Sequence, residues 1–234
     1  MKIGWIIFAD LNIPNFVEEE CMADPFAKNV ATSAEDAAKI LPRAEFRVFG
    51  QGIIDIVTEK IWNGKTVLFQ KRKMPKETYF ISVNTNEANV KVRDGLLDIK
   101  TKVGETPEGY EIFQPRGKFQ FPVKKEDLAV ILSHLKVNME LKKDSYTIDE
   151  FIEMARRHPE LVPVSVEKLR FGFTIDGIIC EYAKVWFNGA LIESACVESE
   201  NYAGMKQVVE NLGLAQFPNM NYLRAAKRVV GLEA

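Results

Sequence analysis

The chain has 234 residues, 47% hydrophobic and 27% charged, with a formal net charge of −2. That length suits one large domain or two small ones, and the core it can bury needs no disulfide staples. The slight acidity excludes a global field that recruits nucleic acid, so any anion site must be local; three cysteines (Cys21, Cys180, Cys196) make no disulfide framework and favour a reducing compartment.

The N-terminal stretch MKIGWIIFADLNIPNF has an apolar run of Ile6, Ile7 and Phe8 beside Trp5 before Asp10 interrupts it. That is too short for a signal peptide or a membrane span, so a soluble, cytoplasmic protein is expected. Residues 1–42 read as an appendage that covers an opening or an interface. Within it, SAEDAAKIL (33–41) predicts a short helix with Ser33 as N-cap, stopped by Pro42. EFRVFG (45–50) alternates as a strand. IIDIVTEKIWNG (53–64) predicts a helix with a stripe of Ile53, Ile56, Val57 and Ile61, ending at Gly64. Strands are expected over 66–74 and 77–83.

NVKVRDGLLDIKTK (89–102) predicts a β-hairpin, because Asp94-Gly95 suits a two-residue turn in which both residues take positive φ. That turn sets Arg93 opposite Leu96, Lys91 opposite Asp98 and Val90 opposite Ile99. One face then carries Val90, Val92, Leu97 and Ile99; the other carries Lys91, Arg93, Asp98, Lys100 and Lys102. The apolar face meets a core, and the basic face needs water or an anion.

Residues 110–123 read as a strand broken at Pro115 and Gly117. Helices follow over 125–137 and 147–159. The run 162–201 holds two more turn signals, Asp176-Gly177 and Asn188-Gly189, and predicts a three-stranded meander. Its register pairs Arg170 with Ala183, Gly172 with Glu181, Glu181 with Cys196, and Ile179 with Glu198. One face collects Lys168, Arg170, Glu181, Glu198 and Glu200. The other collects Leu169, Phe171, Phe173, Tyr182, Ala195 and Val197. Cys180 and Cys196 fall on opposite faces and are not expected to bond. Helices over 201–214 and 221–232 close the chain.

A solvated, salt-bridged sheet face is the simplest account of such charges. Closing the sheet with charges inward would instead bring the basic and acidic clusters together, where buried charge must be paired or neutralised by a ligand. Converging Lys and Arg suit a polyanion, and carboxylates beside them suit Mg²⁺ or Mn²⁺, which bridge phosphate oxygens. QKRKMPK (70–76) reads as a rim contribution through Arg72 to the same anion site. His134 and His158 have no partner at metal-ligand spacing, and no Walker A, G-x-G-x-x-G or G-x-S-x-G motif occurs.

The order of these pieces, over about residues 45–214, resembles the CYTH-like superfamily, the triphosphate tunnel metalloenzymes. EFRVFG stands at the place of the opening Glu-bearing strand, and ETYFIS looks like a Tyr-Phe-Asp-type strand. VKVRDGLLDIKTK and VEKLRFGFTIDG are similar to the two basic strands, and CVESEN with the helix to NLGL resembles the late E-x-E strand and closing helix. The resemblance implies an α+β fold: a closed antiparallel β-barrel over 43–234, with external and C-terminal helices and a ligand-binding lumen. It implies a small polyanionic ligand (triphosphate, polyphosphate or nucleotide) held by Arg47, Arg72, Lys91, Arg93, Lys100, Lys102, Lys168 and Arg170. In the enzymatic form a divalent cation on Glu45, Glu181, Glu198 and Glu200 activates water, with Glu45, Glu198 and Glu200 as the catalytic set. The alternative is a non-catalytic binder or sensor on the same scaffold. The departure lies in β-strand 45–50: the family pattern E-x-E-x-K is here Glu45, Arg47 and Phe49, which favours holding an anion over ionising water. ETYFIS also lacks the usual Asp. No membrane partner is expected, nucleic acid is disfavoured, and a homodimer is compatible with the chain.

Overall fold

The computed structural model describes residues 39–62 and 66–233. Residues 1–38 of the expected 1–42 appendage lie outside the described residues, and with them most of the helix expected over 33–41; its last residues, 39–41, are turn, bend and irregular chain and not helix. Gly64, the expected end of the next helix, also lies outside them; that helix is α1 (Ile53–Ile61).

Eight antiparallel strands close into a barrel in the order β10-β11-β1-β6-β5-β4-β3-β9 and back to β10. They are β1 (Arg43–Gly50), β3 (Glu77–Ser82), β4 (Ala88–Arg93), β5 (Leu96–Glu105), β6 (Glu111–Gln120), β9 (Leu161–Ile175), β10 (Ile178–Phe187) and β11 (Ala190–Ser199). This is the architecture the sequence resemblance implies. The extra strand β2 (Thr66–Lys73) shares one side of the 15-residue β9 with β3: β3 takes its first half and β2 its second. Outside the barrel, β7 (Val123–Lys124) and β8 (Ser145–Tyr146) form a small separate pair.

The three turn dipeptides set the registers as the sequence predicts. Asp94, Gly95, Asp176, Gly177, Asn188 and Gly189 all have positive φ, as two-residue hairpins whose twist matches their strands require. Lys91 faces Asp98, Arg170 faces Ala183, and Glu181 faces both Gly172 and Cys196. Pro115 and Gly117 do not break β6. They flank a bulge, where the pairing with β5 steps from Ile99–Gly117 to Lys100–Pro115 and leaves Arg116 unmatched.

Because side chains alternate, each strand offers one row to the outside and one to the lumen. Outward rows of β1, β9, β10 and β11 (Phe46, Phe173, Cys180, Val197) pack under α1 and α4 (Met205–Asn211). Outward rows of β3, β4 and β5 (Phe80, Val90, Leu97, Ile99) pack under α2 (Lys125–His134) and α3 (Ile148–Arg157). The latter helix starts at a capping box, Thr147 with Glu150, which satisfies two otherwise orphaned donors. A third core forms at the barrel mouth from inward residues Tyr79, Ile81, Val164, Val166, Val185 and Phe187, sealed by α5 (Tyr222–Val229) through Tyr222, Leu223 and Ala226.

The way α5 reaches that mouth follows from a split in the wall. β1 pairs with β6 only over Arg43–Glu45. At Arg47 the free edge of β1 bonds the C-terminal segment instead: Met220 N donates to Arg47 O (2.7 Å), and Arg47 N donates to Asn219 Oδ1 (3.0 Å). Asn221 then caps α5, its Oδ1 accepting from the amides of Leu223 and Arg224.

Candidate anion-binding lumen

Inside the barrel the charged side chains of the described residues sort into two clusters and a rim triad. The first is centred on Glu77 of β3, which is 1% exposed. Its Oε2 accepts from Lys168 Nζ at 2.6 Å, and its Oε1 lies 3.2 Å from Lys91 Nζ and 3.6 Å from an Arg93 nitrogen. Arg93 turns its other nitrogen to Asp98 at 3.0 Å. The Tyr79 hydroxyl meets the Lys168 and Lys91 amines at 2.9 and 3.4 Å. Three cations thus converge on one carboxylate. Burial alone would push that carboxyl up; Lys91, Lys168 and Arg93 overcome it and hold it well below the usual range. Burial, partly offset by Glu77, brings the Lys168 amine down to about 7, and it lowers Lys91 as well.

The second cluster is built on Arg47 of β1. Its Nε donates to Glu45 at 2.8 Å, and Nη1 donates to Glu181 and to the Ser194 hydroxyl, each at 3.3 Å. Glu181 also bonds Arg170. Despite burial, these arginines keep the Glu181 and Glu45 carboxyls low. The ring of Tyr222 lies between the two clusters. The Arg47 guanidinium carbon stands 4.6 Å from its centroid and Lys168 Nζ 4.4 Å from it, within cation–π range. The Tyr222 hydroxyl is buried with no hydrogen-bond partner among the described residues.

At the rim, Arg43 bonds Glu198 at 3.3 Å and Glu200 at 3.1 Å. Lys100 is exposed, though its charge reaches Glu45 and Lys91. Lys102 is drawn aside to Glu105 and Glu111. Arg72 is exposed on β2, in register with Arg170. Of the residues singled out from sequence, the fold therefore gathers Glu45, Arg47, Lys91, Arg93, Lys168, Arg170 and Glu181 into the two clusters. It leaves Glu198 and Glu200 with Arg43, Lys102 with Glu105 and Glu111, and Arg72 and Lys100 exposed.

Sequence reading missed Glu77, Tyr79 and Tyr222. β3 is buried on both faces, so it shows no alternation to mark an inward row. Tyr222 arrives on a helix whose apolar stripe reads like that of any external helix.

The donors for a metal are specific enough to test. Among the described residues, Glu45, Cys196 and Glu198 bring a carboxylate oxygen, a sulfur and a second carboxylate oxygen within 4.8 Å of one another. Mg²⁺ demands oxygen ligands in near-octahedral array. Here one of the three donors is a thiol that burial pushes up, which keeps it protonated. Moreover, Glu45, Glu181, Glu198 and Glu200 are each already ion-paired to an arginine. The set does not fit a hard divalent ion.

No family profile matches the chain, and no curated protein sequence does. Three solved structures illustrate what it is similar to. A conserved hypothetical protein from Pyrococcus furiosus has TM-score 0.43 and 14% identity, over 77% of this chain and 98% of that one. An adenylyl cyclase candidate from Hippeastrum, described as having a dominant triphosphatase activity, has TM-score 0.45 and 8% identity, over 81% and 96%. An adenylate cyclase candidate from Bacillus halodurans has TM-score 0.40 and 11% identity, over 78% and 96%.

Proposed function

We propose that the barrel binds a small phosphorylated ligand of the triphosphate class in its lumen. The carrying observation is the convergence of Lys91, Arg93 and Lys168 on the single buried carboxylate of Glu77. Lys91, Arg93 and Lys168 stand against two carboxylates, Glu77 and Asp98, and that excess of one positive charge favours an added anion; phosphate oxygens accept charge-assisted bonds from several amines and guanidinia at once. Glu77 acts as the resident counter-ion that keeps this cluster stable when empty. Arg170 and Arg47 extend the same wall, and the exposed Lys100 and Arg72 are assigned to the ligand's approach.

Binding without turnover is the form of the activity that the donor set supports best, because the lumen carboxylates are engaged by arginines. A thermal shift with tripolyphosphate, ATP and inorganic phosphate, beside a phosphate-release assay, tests this. The proposal expects stabilisation by tripolyphosphate and no release. Release that depends on Lys91 would establish hydrolysis instead, and no shift with any of the three would defeat the reading.

A further inference from the structure

We infer that the guanidinium of Arg47 is the fixed cation of this lumen, standing where a divalent ion would otherwise bridge the acids of β1, β10 and β11 to a ligand's phosphates. Resting on the proposed function, this makes ligand binding independent of divalent metal.

Four observations carry it. Arg47 is held as a bridging ion is held, by oxygens from three strands: Glu45 of β1, Glu181 of β10 and Ser194 of β11. It is 5% exposed and braced by the Tyr222 ring, so the charge cannot swing out to water. Its strand position lies opposite Cys196, between the Glu45–Glu198 pair and the Phe49–Ser194 pair, so the guanidinium faces the very donors that could bind a metal. Finally, Arg43 repeats the arrangement two alternate positions earlier on the same row, taking Glu198 and Glu200. A divalent ion entering this set would have to strip guanidinium hydrogen bonds from each carboxylate. It would also sit beside a charge that, unlike lysine or histidine, cannot be lost by deprotonation. The planar, multi-donor fork of arginine can meet phosphate oxygens directly, which is what the metal would have supplied.

The test uses the full chain and two probes, Mn²⁺ and tripolyphosphate. Mn²⁺ uptake by the ligand-free protein is read from the free-ion paramagnetic resonance signal, and tripolyphosphate binding is measured calorimetrically in chelator and in excess Mg²⁺. Wild type should leave Mn²⁺ free and should bind tripolyphosphate in both buffers, as the free ion in chelator and as its own magnesium complex in excess Mg²⁺, since Glu45, Glu181, Glu198 and Glu200 are already held by arginines. Arg47→Glu, which exchanges the fixed cation for a carboxylate, should gain Mn²⁺ affinity by at least about tenfold. Stoichiometric Mn²⁺ uptake by wild type, or tripolyphosphate binding that vanishes in chelator, overturns the inference, and neither measurement depends on a variant folding. An Arg47→Glu protein that melts like wild type yet takes up no Mn²⁺ also counts against it. If tripolyphosphate binds in neither buffer, the proposed ligand class fails, while the Mn²⁺ arm still decides the role of Arg47.

Discussion

Lys168 and Glu77 meet inside the barrel with amine and carboxylate 2.6 Å apart, both nearly stripped of water. The pair is not self-sufficient. Burial leaves the Lys168 amine titrating at about 7 even with its partner in contact, so near neutrality a fraction of the lumen's positive charge is absent until something anionic calls it back. An anion beside Lys168 raises its affinity for the proton, and binding should therefore take up protons. Affinity for tripolyphosphate should fall as pH rises from about 7 towards the amine's ordinary value of about 10.4. Calorimetry in buffers of different ionisation enthalpy should register proton uptake near pH 7, and Lys168→Met should abolish it. Uptake unchanged in the variant would remove Lys168 from the site.

The same shift has the opposite sign for the empty protein. The folded-state value of Lys168 lies below its unfolded value, so between the two the unfolded chain binds more protons. This group's contribution to stability therefore rises with pH across that window. Urea titrations of the ligand-free protein at pH 7 and pH 9 should show wild type gaining relative to Lys168→Met. A relative loss would mean that the amine is not desolvated.

Glu77 works in the acid range. Its carboxyl is held low by Lys91, Lys168 and Arg93, so the stability it contributes is present above an unfolded value near 4.3 and is lost as pH falls below it. Glu77→Gln leaves three buried cations without their common partner. It should cost about 3–5 kcal/mol, and tripolyphosphate should restore more of the melting temperature than it adds to wild type. An unaltered melt would show that the cluster is hydrated.

Tyr222 separates packing from polarity. Its ring fills the space beside Phe49, Tyr79 and Phe187, with the nearest centroid at 5.1 Å. Its hydroxyl is buried without a partner among the described residues. Tyr222→Phe should leave stability unchanged or raise it by up to about 1 kcal/mol. Tyr222→Ala, which opens a cavity at the sealed mouth, should lower it by about 3–5 kcal/mol. Equal losses in the two variants, read by chemical denaturation, would mean that the hydroxyl is bonded.

Much of this was legible because two-residue turns are local. Asp94-Gly95, Asp176-Gly177 and Asn188-Gly189 fix registers by backbone conformation alone. Registers in turn fix which side chains share a face, so the inward rows of β4, β5, β9, β10 and β11 followed from dipeptides and alternation. The remainder depended on distant packing. Glu77 lies on a strand buried on both sides, where polarity does not alternate. The bulge at Arg116 depends on how β6 meets β5. The split between β1 and β6, and the entry of Tyr222 through the segment that fills it, joins residues more than 170 apart in the chain. No local pattern encodes a contact of that separation.

In this account the basic row of the hairpin formed by β4 and β5 lines a ligand site. That assignment is tested most directly by titrating tripolyphosphate into wild type, Lys91→Met and Lys184→Met, the last being an exposed lysine on the outer row of β10. Lys91 shares Glu77 with two other cations, so its loss should leave the empty protein as stable as wild type or slightly more so. It should weaken tripolyphosphate binding by about 1.5–3 kcal/mol, the worth of a charged hydrogen bond. Lys184→Met should change neither by more than about 1 kcal/mol. Equal affinities in all three proteins, or no binding by wild type, would contradict the account.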